Sequence, residues 1–152
     1  MHFSLLPLLS VLHSLTSSPS IELKGYFVCS AGLVEDTGAG DALSIYARTQ
    51  RTCQKGEVIL AAEKRLSTRE RKPVFMITDT VHLRLNANTH LSIARCTTAS
   101  GKTRQYFVVS GGATNEQEYL RNIKRVWGMN AQHRLVPVPV KTIKCFNDGY
   151  GS

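Results

Sequence analysis

Val81, Leu83 and Leu85 alternate with His82 and Arg84, and Leu91 and Ile93 alternate with Ser92 and Ala94. This period-two spacing predicts strands that bury one face. Tyr106-Phe107-Val108-Val109 is apolar on both faces, and Val74-Phe75-Met76-Ile77 is a further buried-looking run. Turn-forming residues at 86–89 and 98–102 separate these runs, so the strands are expected to form an antiparallel meander. Residues 25–29 read as a short first strand, and residues 142–146 as a closing strand that brings Cys145 back to the sheet. Pro137 and Pro139 just before it suit an edge or an irregular approach.

Two stretches carry helical spacing. Asp41 can cap a helix running to Arg48, with Leu43, Tyr46 and Ala47 on one face. Between residues 116 and 127, Leu120, Ile123 and Trp127 share a face while Arg121, Lys124 and Arg125 point elsewhere. Residues 54–72 fit neither period. There Val58-Ile59-Leu60-Ala61 leads into a run dense in Lys and Arg, expected to be an exposed loop or a helix end. Strand, helix, meander and closing strand together predict an α+β domain.

The N-terminus changes the context of these elements. An apolar stretch from Leu5 to Leu12 gives way to Thr16-Ser17-Ser18-Pro19-Ser20. It is shorter than the roughly 20 apolar residues that cross a bilayer. Small residues at Ser18 and Ser20 suit a signal peptidase, so residues 1–20 are expected to be a cleaved signal peptide. Residues 21–152 are then a single secreted domain with no membrane anchor. All four cysteines, Cys29, Cys53, Cys96 and Cys145, lie in that part, and an even count in a secreted chain favours disulfides. Three pairings are possible. The expected one is Cys29–Cys145 with Cys53–Cys96, because the first would tie the start of the domain to its end. A loop of that length would stabilise by about 4–5 kcal/mol. The wide spacings do not suit a structural zinc site, and no metal or cofactor is expected.

The net charge of +8 also falls entirely within residues 21–152. It favours an anionic partner, such as nucleic acid or an acidic protein face. RNA cleavage would need a base, an acid and a cation at one phosphate. Histidines and arginines are present, but no Asp or Glu lies between Thr80 and Asn115. His82 paired with His90 or with His133 is the remaining route, with nothing in their spacing to couple them. No catalytic residue is therefore assigned. For RNA binding without cleavage the candidates are His82, Arg84, Arg104 and Tyr106, basic groups beside an aromatic on neighbouring strands. For protein contact they are Arg69 and Arg71 in the charged run, and Arg121, Lys124 and Arg125 on the second helix.

The aromatic-x-Cys motif Phe27-Val28-Cys29, close behind the signal peptide and matched by Cys145 near the C-terminus, resembles the secreted ribonuclease-like effectors of powdery mildew fungi. The resemblance implies a microbial-ribonuclease-like fold, a helix packed on a central antiparallel sheet, with Cys29 and Cys145 paired. It also implies a catalytically inactive virulence protein, a monomer delivered into plant cells. There it would bind host proteins or RNA and could be recognised by a plant immune receptor. The alternative is an active secreted ribonuclease.

Overall fold

The computed structural model describes residues 21–35, 38–112 and 115–152. The expected signal peptide, residues 1–20, lies outside the described residues.

Among the described residues nine strands run in chain order: β1 (Phe27–Leu33), β2 (Ala42–Ala47), β3 (Gly56–Arg69), β4 (Lys72–Leu85), β5 (His90–Thr98), β6 (Thr103–Ser110), β7 (Ile123–Met129), β8 (Leu135–Pro137) and β9 (Ile143–Cys145). They form two antiparallel sheets, ordered β1-β2-β3-β4 and β8-β7-β6-β5-β9. Among the described residues the only helical pieces are two short 3-10 turns, Gln50–Cys53 and Val140–Thr142.

The alternation at 81–85 and 91–94 is real, yet β4 and β5 belong to different sheets. The turn at 86–89 carries the chain from one sheet to the other, so the expected three-strand meander does not form. The β5–β6 hairpin does form, with Ile93 opposite Phe107 and Ala94 opposite Tyr106. The two sheets pack face to face. Leu43, Ile45, Val58, Leu60 and Ala62 from the first meet Ile93, Phe107, Val109, Trp127 and Met129 from the second. On the far side of the second sheet Tyr106, Val108 and Val126 pack under the chain that carries Leu120, Val138 and Val140. That second layer explains why β6 is apolar on both faces.

The first expected helix is corrected to strand β2 and the second to irregular chain followed by β7, and the α+β, ribonuclease-like arrangement of one helix on a central sheet is corrected to an all-β sandwich. Leu43 and Ala47 satisfy a helical face, but Leu43, Ile45 and Ala47 equally satisfy period two, and tertiary burial selects the latter. Asp41 does not cap a helix. Its side chain is buried and accepts the backbone N–H of Arg65 at 3.1 Å. The second supposed helix is split by Asn122, whose φ is 53°. Beyond it, Ile123–Met129 pairs with both β6 and β8. Gly128 belongs there because the Tyr106 ring lies where its side chain would stand, 2.7 Å from a Cβ at that position.

The cysteine pairing is corrected as well. The disulfides are Cys29–Cys53 and Cys96–Cys145. Cys96 and Cys145 sit directly opposite each other on β5 and β9, so the closing strand does return Cys145 to a sheet. Cys29 meets Cys53 in the 3-10 turn that precedes β3, within the first sheet. No covalent link joins the start of the domain to its end. No helix among the described residues is long and apolar enough to cross a membrane.

Candidate interaction surface

The charged run that looked like a loop is the outer half of β3. Strand β2 pairs with β3 only from Tyr46↔Ile59 to Ala42↔Glu63. Beyond Glu63 the sole strand partner of β3 among the described residues is β4, through Lys64↔Met76, Arg65↔Phe75, Ser67↔Val74, Thr68↔Pro73 and Arg69↔Lys72. The result is a two-stranded ribbon that reaches about 20 Å past the sheet at the usual strand rise. Its register shifts between Ala62 and Glu63 and again between Arg65 and Ser67. Such bulges strengthen the twist of a ribbon and turn it from the sheet plane.

The ribbon closes in two residues, Glu70 and Arg71, with φ of 48° and 64°. A two-residue hairpin turn of this hand normally takes Asn-Gly, because side chains disfavour positive φ. The Glu-Arg pair explains why sequence reading missed the hairpin. Lys64, Arg69, Arg71 and Lys72 are exposed, and among the described residues none of them has a carboxylate within ion-pair distance. Arg65 is held differently, with Nη2 donating to Thr68 Oγ1 at 2.8 Å.

At the base of the ribbon lies a groove of about 560 Å³ whose apolar walls are Ile21, Val28, Leu66, Phe75, Met76 and Ile77. Leu66 is 54% exposed. The groove also borders Tyr46 and Glu63. The Tyr46 hydroxyl donates to Glu63 Oε1 at 2.5 Å. Burial, followed by the adjoining Glu63 carboxylate, pushes the Tyr46 phenol well above its usual pKa. Ile21 joins the groove through a single antiparallel bridge to Ile77.

A second, polar cleft of about 430 Å³ is bordered by Asp41, Lys102, Arg104, Asn130 and His133. His133 Nε2 lies 3.0 Å from Asp41 Oδ2. The turn between β7 and β8 holds His133 there. Asn130 Oδ1 accepts the N–H groups of Gln132 and Arg134, and His133 takes a φ of 57°. Thr78 Oγ1 donates to the His133 carbonyl at 2.7 Å, and Asp79 Oδ2 accepts the Leu135 N–H at 2.8 Å. Asp41 thus ties β3 of one sheet to the β7–β8 turn of the other. Asp41 and His133 are 92 residues apart, and no local pattern announces the pair.

The residues expected to bind RNA are brought together only in two separate pairs, His82 with Arg84 beside one pocket and Arg104 with its guanidinium 5.9 Å from the Tyr106 ring centre. His82 and Arg84 lie on β4, and Arg84 is paired with Glu57 at 3.0 Å. Arg104 and Tyr106 lie on β6, in the other sheet. Tyr106 is buried against Gly128, and Arg104 Nη2 donates to the Met129 carbonyl at 2.9 Å. The expected protein-contact residues divide in the same way. Arg69 and Arg71 stand at the ribbon end. Arg121 precedes β7, and Lys124 and Arg125 lie on it, with the Arg125 guanidinium 4.4 Å over the Trp127 ring. No group of three or more His, Cys, Asp or Glu among the described residues could hold a metal ion. No family model matches the chain, and no curated protein or solved structure matches it.

Proposed function

We propose that the mature chain is a secreted, disulfide-bonded binding module that acts on a host macromolecule without catalysis and meets an anionic partner through the β3–β4 ribbon. The observation that carries this reading is the ribbon itself. It concentrates Lys64, Arg69, Arg71 and Lys72 on a projecting two-stranded arm whose turn carries the Glu70 carboxylate, and among the described residues none of the four cations is in an ion pair. An arm of this kind costs stability, because two strands alone are marginal in water. It is better explained by a contact than by solubility, which scattered charge would serve equally. Two disulfides suit an oxidising compartment. The setting in a plant cell, and recognition there by an immune receptor, rest on the resemblance at Phe27, Cys29 and Cys145. The helix that went with it is absent among the described residues, and Cys29 and Cys145 pair with Cys53 and Cys96 instead.

Retention of the oxidised 21–152 chain on a sulfated-polysaccharide column tests the reading. Arg69→Ser/Arg71→Ser/Lys72→Ser is expected to elute at clearly lower salt than Arg121→Ser/Lys124→Ser/Arg125→Ser, although both lose the same charge. Equal elution of the two variants would mean that net charge, not the ribbon, makes the contact.

One observation favours a second reading, cleavage of RNA in the polar cleft. Buried Asp41 orients the His133 imidazole beside Lys102 and Arg104, which gives an imidazole base and cations for a phosphate. A second proton-transfer group is not assembled there. RNA cleavage lost on His133→Ala and kept in the ribbon variant would establish this activity. No cleavage by the unmodified chain would remove it.

A further inference from the structure

Resting on the ribbon reading, we infer that the ribbon and the groove at its base form one site for an extended acidic segment of a partner protein. An apolar side chain of that segment sits against Leu66, and its carboxylates reach the tip.

The order of chemistry along the ribbon selects this occupant. Apolar surface lies at the base, where Val28 and Leu66 are exposed beside Phe75 and Ile77. Beyond it lie Arg69, Arg71 and Lys72, none of them in an ion pair among the described residues, with the Glu70 carboxylate at the turn between them. A membrane-inserting hairpin needs the reverse order, with an apolar tip and cations behind it at headgroup level. A nucleic-acid strand would use the cations, but stacking needs open aromatic faces. The aromatics here, Tyr46 and Phe75, are half-buried, and the Tyr46 hydroxyl is committed to Glu63. An apolar patch rimmed by charge is instead the anatomy of a protein contact, in which a buried anchor supplies affinity and rim charges supply orientation. Extended chain also suits the ribbon, whose outer strands leave edge N–H and C=O groups without a strand partner.

The geometry sets a spacing. Leu66 is the extra residue of the bulge between Arg65 and Ser67, and it stands at most about 10 Å from Arg69 along β3. An extended ligand therefore needs its carboxylates about three residues from its anchor.

The test uses labelled ten-residue peptides read by fluorescence anisotropy. The first carries Leu, two Ser and then three Glu in a Ser/Gly background. The second replaces Leu by Ser, the third replaces Glu by Lys, and the fourth moves the Glu run next to Leu. A twelve-nucleotide single-stranded RNA and phosphatidylserine vesicles serve as the competing probes. The first peptide is expected to bind at least about tenfold more tightly than the other three. Leu66→Ser and Arg69→Ser/Lys72→Ser should each remove about tenfold of that binding. These residues are exposed, so unchanged thermal midpoints will confirm that the variants fold. If RNA or vesicles bind more tightly than the first peptide, and Leu66→Ser leaves binding unchanged while Arg69→Ser/Lys72→Ser weakens it, the peptide site is overturned and the ribbon reading survives. If Arg69→Ser/Lys72→Ser changes binding to none of the probes, both fall.

Discussion

At the residue scale, a few side chains hold positions that local sequence does not advertise. Glu70 and Arg71 both take positive φ to close the ribbon. Glu70→Asn/Arg71→Gly should therefore raise stability by about 1 kcal/mol, read as a higher urea midpoint with an unchanged slope. An unchanged or lower midpoint would mean that the turn is not of this hand. Gly128 lies under the Tyr106 ring. Gly128→Val should cost about 1–3 kcal/mol through overpacking, because the Tyr106 ring lies 2.7 Å from a Cβ at that position. The Tyr46–Glu63 pair gives a pH dependence. The folded state holds the phenolic proton more tightly than the unfolded state, so the contribution of the pair is intact below about pH 10 and is lost as pH rises above it. Urea midpoints should fall more steeply from about pH 10 upward in the unmodified chain than in Tyr46→Phe. At neutral pH Tyr46→Phe should cost about 1–3 kcal/mol, because Glu63 is buried and loses its donor.

At the element scale, strands with one wet face were legible and strands with two buried faces or an unusual turn were not. His82 and Arg84 between Val81, Leu83 and Leu85 reveal β4, and Ser92 reveals β5. In β2 the short sequence Ala-Leu-Ser-Ile-Tyr-Ala satisfies both periods, and only the inter-sheet core decides between them. In β7 the helical spacing of Leu120, Ile123 and Trp127 arises because Leu120 belongs to one core layer and Trp127 to the other. The ribbon was hidden by its turn, since Arg-Glu-Arg-Lys carries none of the Gly or Asn that marks a hairpin. The disulfides belong to this scale too. Proteolytic mapping of the oxidised chain should yield one fragment joining Cys29 to Cys53 and another joining Cys96 to Cys145. A fragment joining Cys29 to Cys145 would contradict the strand order of both sheets.

At the scale of the whole molecule, the two sheets share one core, and its centre lies at Phe107, which is fully buried between them. Phe107→Ala should cost about 3–5 kcal/mol, enough to unfold a domain of ordinary stability. The ribbon projects from that core, tied to it by the Arg65 N–H to Asp41 and by the bridge from Ile21. Net charge and the cationic run that ends at Lys72 were readable from the sequence and pointed to an anionic partner, but the form of that run was not: pairing of β3 with β4 beyond Glu63 makes it a projecting two-stranded arm. The polar cleft was invisible for a related reason, because Asp41 and His133 meet only through the packing of one sheet on the other.

The most direct measurement is a backbone amide shift map of the 21–152 chain titrated with the Leu-Ser-Ser-Glu-Glu-Glu peptide. The expected result is perturbation confined to residues 64–77 and to Val28 and Ile21 beside them. Perturbation centred on residues 39–41, 102–104 and 130–133 would place the contact in the polar cleft instead and contradict the ribbon as the binding surface.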